Sequence, residues 1–296
     1  MVFAEKNKKW LGYVLYVLLV TLVLLYYLFP AKTVEEFVDN SIRRMNPALG
    51  FKAEKIRPWI PVGLRITGGR IYLKDSPVPA VFKTDTMYIA AESLKLLRGK
   101  YSFDLDGTAY TGDISGRLDS KDENGKTFDS ELLFNGIDLA DYEFLAGRFQ
   151  HKISGKISGE IAYSKDSAGA TGENGRAHLR LDNGQLQLQT PVFGLQSVDL
   201  QNIDMELELQ NGRIKIEKAE LAGSEVKAAM NGFILLRSDI KLSQLKLSGT
   251  LEPLAEFYKN YPEIREVLKS MKKRVKRGQY FFSITGTLEA PIFKLL

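Results

Sequence analysis

Ile203-Asp204-Met205-Glu206-Leu207-Glu208-Leu209-Gln210-Asn211-Gly212-Arg213-Ile214-Lys215-Ile216 carries an apolar side chain at every second position on each side of Asn211-Gly212. Strict alternation puts those side chains on one face of a strand, and an Asn-Gly pair between two alternating runs predicts a tight antiparallel hairpin. Leu179, Leu181, Leu186 and Leu188 repeat the pattern around Asn183-Gly184, where a second such turn is expected. Working outward, strands are readable at Leu64–Leu73, Phe82–Ala90, Tyr101–Tyr110, Thr127–Phe134, Ile153–Tyr163, Glu225–Leu236, Ile240–Leu251 and Tyr280–Leu288. From about residue 51 onward the chain therefore reads as mainly β: a long antiparallel array with one apolar face, mostly joined by short turns.

Four short pieces recur along the array: Ile114-Ser115-Gly116-Arg117-Leu118, Ile153-Ser154-Gly155-Lys156-Ile157, Leu247-Ser248-Gly249-Thr250-Leu251 and Ile284-Thr285-Gly286-Thr287-Leu288. A glycine at one place in successive strands marks a bend or a close backbone approach in a repeated β unit. The last two copies run on to Pro253 and Pro291, where the strands are expected to end because proline cannot serve the ladder. Helical insertions are expected at Ala140–Ala146 and over 254–277, with Pro262 dividing the second. In the latter, Arg265, Lys269, Lys272, Lys273 and Lys276 surround an apolar stripe of Ile264, Val267, Leu268, Met271 and Val275. Such a helix either caps the open end of the sheet with a solvated basic face or meets anionic headgroups or an acidic partner. Asp166–Gly175, rich in Gly, Ala and Ser, reads as a loop tip.

The N-terminal part follows other rules. Trp10–Phe29 is a charge-free run of 20 residues, 13 of them Leu, Val or Phe. As a helix it would be about 30 Å long, the thickness of a bilayer's hydrocarbon core. Trp10, Tyr13, Tyr26 and Tyr27 sit near its ends, where amphipathic rings favour the headgroup level, and are the expected membrane-anchor residues. Lys6, Lys8 and Lys9 precede it, so the positive-inside rule puts residues 1–9 in the cytoplasm and everything after Pro30 across the membrane. The apolar run is longer than that of a signal peptide, and Phe29-Pro30-Ala31 is a poor cleavage site, so it reads as an uncleaved single-pass anchor. Thr33-Val34-Glu35-Glu36 predicts a capping box that opens a helix to about Met45 within a 30–50 stalk. Val34, Phe37, Val38, Ile42 and Met45 form its apolar face, packed on the next domain or laid on the membrane.

Composition excludes much. The 296 residues include no cysteine, so disulfides, thiolate metal sites and thiol nucleophiles are out. A net charge of +5 is too small to imply a nucleic-acid partner. Ser120–Thr127 resembles both a phosphate loop and a calcium loop, but Ser120 replaces the first Gly or Asp and a strand follows where a helix is needed. His151 and His178 lack ligand partners at local spacing, and Asp104 and Asp106 read as solvent-facing. No catalytic residue, metal site or cofactor is expected, and the chain reads as a non-enzyme.

The order of basic tail, Tyr13–Leu19 within the span, stalk helix, Ser93-Leu94-Lys95-Leu96-Leu97-Arg98-Gly99-Lys100 and a closing Leu288–Leu295 resembles the larger form of the type II secretion system protein N family. The Gly-Thr-Leu-x-x-Pro endings are shared with AsmA-like envelope proteins. The first resemblance implies an inner-membrane-anchored accessory of the secretion apparatus, with a periplasmic β domain (51–296) that contacts other secretion-system envelope proteins. The second implies a curved antiparallel sheet whose apolar groove holds or conducts phospholipid. Alternation is the same whether the sheet closes into a sandwich or stays open as a groove, so both architectures stand at this point.

Overall fold

The computed structural model describes residues 3–74, 80–122, 127–144, 152–166, 172–192, 195–237, 239–262, 275–276 and 278–296. Helix α1 (Phe3–Tyr27) is followed by α2 (Ala31–Met45), and then almost everything is strand. The strands are β1 (Leu49–Lys52), β2 (Lys55–Trp59), β3 (Gly63–Leu73), β4 (Phe82–Ala91), β5 (Tyr101–Ala109), β6 (Gly112–Ser120), β7 (Phe128–Asp138) and β8 (Lys152–Lys165). They continue as β9 (Glu173–Val192), β10 (Leu195–Gln210), β11 (Arg213–Ala222), β12 (Val226–Leu235), β13 (Gln244–Pro253), β14 (Val275–Lys276), β15 (Gln279–Thr287) and β16 (Pro291–Leu295). Two short helices, α3 (Ser93–Leu96) and α4 (Ala255–Asn260), sit in connections.

All sixteen strands belong to one antiparallel sheet, with neighbours in chain order. It is fourteen positions wide, because β1 and β2 share one edge along β3, and β14 and β16 share the other along β15. No ladder joins the two edges among the described residues, so the sheet is open. Among the described residues, strands touch mainly their ladder neighbours, and each buried apolar cluster gathers side chains from strands close together in the sheet order, so no second sheet layer covers the face. The open sheet and the exposed helix α1 together give an accessible surface of 19872 Å². A compact monomer of 33.3 kDa would expose about 12,600 Å².

Asn211-Gly212 turns the chain between β10 and β11 with both residues at positive φ, as its sequence requires. Asn183-Gly184 does not turn. It lies inside the 20-residue β9, where Asn183 takes φ +52. Opposite it the β8 ladder slips between Ser154 and Lys156, and Gly155 has φ +124 with its backbone pressed on Gly184. Both flanking strands are long enough to pair on each side of the irregularity, so the signal is spent on a bulge.

Other expectations are corrected. Helix α2 begins at Ala31 without a side-chain cap, not at Thr33. Glu35 instead accepts from the Ala53 amide (3.2 Å) and Asp39 from the Phe51 amide (2.8 Å). These carboxylates satisfy donors beside the sheet's first edge, which blunts it. Val34, Val38 and Ile42 pack on Phe51, Ile56 and Ile66, whereas Phe37 is exposed. Ile240–Leu242 is a 3₁₀ turn capped by the Asp239 carboxylate, not the start of a strand. Around residue 140 only a 3₁₀ turn, Leu139–Asp141, and Glu143–Phe144 in helix are described. The expected loop tip at Asp166–Gly175 is shorter, because Glu173–Gly175 already pairs in β9. Within 254–277, only α4 is described as a helix of any length, and Val275–Lys276 forms a strand against β15 rather than a last helical turn. Pro253 ends β13 as expected, but Pro291 opens β16, a strand the alternation did not announce.

Helix α1 reaches back from the expected span through the expected tail to Phe3. Among the described residues no helix is long and apolar enough to cross a membrane; side chains 3–9, 11, 18, 22 and 25 within α1 are outside that set.

Candidate functional site

The register makes the apolar face explicit. One row of paired residues runs from edge to edge as Ile56, Ile66, Met87, Gly107, Ile114, Phe134, Gly159, Leu179, Met205, Ala219, Met230, Gly249, Phe282 and Leu295. Two residues along each strand (three in β11, across a bulge), a second row runs Pro58, Leu64, Ile89, Leu105, Gly116, Leu132, Ile161, Ala177, Leu207, Ile216, Gly232, Leu247, Ile284 and Phe293. No polar side chain interrupts either row. At about 4.8 Å between strands, each row is about 60 Å long.

The opposite face is polar. Its matching row reads Arg65, Tyr88, Asp106, Ser115, Leu133, Glu160, His178, Glu206 and Lys218. Alanines gauge the two faces, since each carries only a Cβ. Ala109 and Ala219 on the apolar face are buried, whereas Ala162, Ala222 and Ala229 on the polar face are exposed. Side chains thus crowd on the apolar side. Helix α2 covers the face at the first edge, and Phe257 of α4 packs on Val226 and Tyr280 near the last. Between those covers, Leu105, Leu132, Leu179, Met205 and Leu207 are half-buried and Ile161 is exposed.

Gly249 shows how one recurring glycine serves this face. A Cβ there would stand 2.3 Å from the Ala229 carbonyl and 2.6 Å from the Phe282 ring, so the ring lies flat over bare backbone. At the far strand ends, Tyr110 packs against Phe82 and Tyr142, and its hydroxyl accepts from the Lys83 amide (2.7 Å). Burial pushes its phenol up to about 12.

The polar face holds open grooves. One of them, about 660 Å³, lies over β7–β10 and is lined by Glu131, Glu160, Glu206 and Glu208 facing Arg176 and His178. His178 pairs with Asp204 at 2.7 Å, and that bond, with Lys218 nearby, holds the Asp204 carboxyl below its ordinary range. Asp104 and Asp106 do share a strand face, but Asp104 is tied to Arg117 (2.8 Å) and the two form no common site. Among the described residues no group of three or more His, Asp or Glu is placed to hold a metal. Asp122, part of the loop that mimics phosphate and calcium motifs, accepts from the amide and hydroxyl of Thr127, and a strand follows at Phe128.

Of the expected anchor residues, Trp10, Tyr13, Tyr26 and Tyr27 are all exposed along α1, and the rings of Tyr26 and Tyr27 meet edge to face. Arg265, Lys269, Lys272 and Lys273 lie outside the described residues, as do His151 and the side chain of Lys276. Strand pairing brings the leucines of the hairpins together into continuous rows, which alternation alone did not reveal. No known family model matches the chain, and neither does any curated protein or solved structure.

Proposed function

We propose that this chain is a membrane-anchored lipid-binding protein of the cell envelope, with phospholipid acyl chains lying along the apolar face of its open sheet. The observation that carries the reading is the pair of uninterrupted apolar rows on a sheet with no second layer. So large an apolar surface is unfavourable in water without a covering partner. An acyl chain suits it, because each methylene removed from water contributes about 0.8 kcal/mol and needs no directional contact. A sheet of this width also tends to curl, and the crowding on the apolar side supports a curl toward that side, making it the groove.

The anchor in this reading is Trp10–Phe29 within α1, N-terminus in the cytoplasm, with the sheet in the periplasm. The exposed aromatic residues along α1 and the charge-free sequence support it. The protein works by binding, not catalysis. Native mass spectrometry of the full chain, released from nanodiscs, tests the reading: phospholipid should stay bound in a fixed ratio after the annular lipid is stripped. A chain that emerges lipid-free refutes it. In that case the accessory secretion role implied by the sequence resemblance becomes the account to pursue, and a clean deletion should then leave exported proteins trapped in the periplasm.

A further inference from the structure

The connections along one end of the strands are unlike one another. At the β2–β3 tip, Trp59, Ile60 and Val62 are exposed, Ile60 to 72%. In the next connection, β4–β5, Leu94 and Leu97 of the α3 turn are 69% and 85% exposed. The two are joined side by side, for the Ala91 amide donates to the Val62 carbonyl (2.8 Å) and Gly63 pairs with Ala90. The following connection on the same side is polar, opening with Ser120, Lys121 and Asp122, and the one after it begins at Asp166. Ile240 and Leu242 are also exposed at this end, in the β12–β13 connection, but far along the strand order from α2, so the first two connections hold the apolar tips nearest that helix. Solvated loops do not need five large apolar side chains; the Trp59 ring meets Tyr88 of β4 (4.7 Å between centroids) on one side, yet all five remain exposed.

Helix α2 says what lies beside them. Asp39 meets Phe51 and Glu35 meets Ala53, so the helix runs antiparallel to the direction of β1 and β2. Continuing at 1.5 Å per helical residue against about 3.3 Å per strand residue, Phe29 and Pro30 come level with Ile56, roughly 10 Å short of Trp59. Phe29 and Ala31 do pack in the same cluster as Ile56 and Leu64. The chain thus leaves α1 at the end of the sheet that carries the apolar tips. Arg57, Arg98 and Lys100 are exposed around them and make no ion pair among the described residues.

We propose that the tips Trp59–Val62 and Leu94–Leu97 form a second membrane contact, dipping into the interfacial layer of an anionic bilayer next to the exit of α1. An aromatic ring, aliphatic side chains and unpaired cations at one edge are the chemistry of a headgroup–acyl boundary. The contact fixes the orientation of the sheet on the bilayer. Leu64 and Ile89, at the root of these tips, already belong to an apolar row, so the groove begins at the lipid surface. The inference rests on the reading of α1 as the anchor.

The chain has two tryptophans, Trp10 and Trp59, which provides a direct test. The full-length Trp10→Phe chain, with Trp59 as its single reporter, is reconstituted into vesicles of phosphatidylethanolamine and phosphatidylglycerol. Trp59 emission is compared with and without lipids brominated near the headgroup, and carbonate extraction scores the anchor separately. The expected result is a chain that resists extraction and loses Trp59 emission to the brominated lipid. That loss should disappear in Ile60→Ser/Leu97→Ser, whose far-UV circular dichroism is unchanged because both sites are exposed. Replacing phosphatidylglycerol by phosphatidylcholine should weaken the quenching, as should Arg98→Gln/Lys100→Gln. Resistance to extraction with unquenched Trp59 overturns the contact and leaves the anchor standing. Full extraction with unquenched Trp59 overturns both.

Discussion

Replacing Leu207 with Asp tests the apolar face where it matters most. Leu207 lies in the middle of a row, between Ala177 and Ile216, and is half-buried with no second layer above it. In the lipid-free sheet a carboxylate there still reaches water, but Leu207 packs on the Ile216–Leu247 cluster, so the fold should lose most of a leucine's burial energy, about 1–2 kcal/mol. Against an acyl chain the comparison is harsher. An aspartate in hydrocarbon costs roughly 2.5–3.5 kcal/mol where leucine gains roughly 0.3–0.6, a swing of roughly 3–4 kcal/mol or 10²- to 10³-fold in lipid affinity. Native mass spectrometry of the full chain should therefore show the lipid ratio collapse, while thermal unfolding shifts by a few degrees. Thr285→Asp, exposed on the polar face beside Lys246, is the matched control and should keep its lipid. Retention of lipid by Leu207→Asp would refute the reasoning. So would outright unfolding, which would mean that the face is packed shut and the carboxylate truly buried.

Further outcomes follow from particular contacts. Asp39→Asn should cost about 1–2 kcal/mol in chemical unfolding, since the Phe51 amide loses a charged acceptor. Burial alone would raise the Asp39 pKa, but the Phe51 amide and Arg43 outweigh it and hold the carboxyl below its ordinary range. Its contribution is then full above the unfolded-state value near 3.9 and is lost as pH falls through the lower folded value, which acid titration of Asp39→Asn against wild type would check. Burial raises the phenols of Tyr110 and Tyr280 to about 12, so the folded state holds their protons longer than the unfolded chain. Stability should fall as pH rises from about 10 towards 12, and Tyr110→Phe should reduce that fall in alkaline unfolding. Gly249→Val forces a side chain against the Ala229 carbonyl and the Phe282 ring and should cost about 1–3 kcal/mol by denaturant titration.

How much of this was legible in the sequence depends on the range of each signal. Alternation and Asn211-Gly212 are local, and they placed the β10–β11 turn and, within a residue or two, the bounds of β3, β4, β5, β8, β12 and β15, but not how far β10 and β11 extend from their turn. Asn183-Gly184 carries the same dipeptide but became a bulge, because the choice lay with the lengths of β8 and β10, which no local window contains. Thr33 and Glu36 had the right spacing for a capping box, yet the helix opens earlier, at Ala31, and the adjacent Glu35 serves the Ala53 amide, 18 residues away, for a tertiary reason. β16 was missed because Pro291 reads as a stop, although proline is tolerated as the first residue of a strand. As for the site, each strand's apolar positions could be read, but their joining into rows and the absence of a second layer depend on register and closure. The tips at Ile60 and Leu97 were invisible for the same reason, since only strand pairing sets them side by side.

The most direct test of the lipid groove is photo-crosslinking in the protein's own membrane. A photoreactive phenylalanine analogue is placed in turn at Ile161, Leu179 and Leu207 on the apolar rows, and at Ser115 and Thr285 on the polar face. After irradiation, the account expects phospholipid adducts at the three row positions and none at the two polar ones. Adducts to protein at the row positions, or lipid adducts equal on both faces, would contradict it.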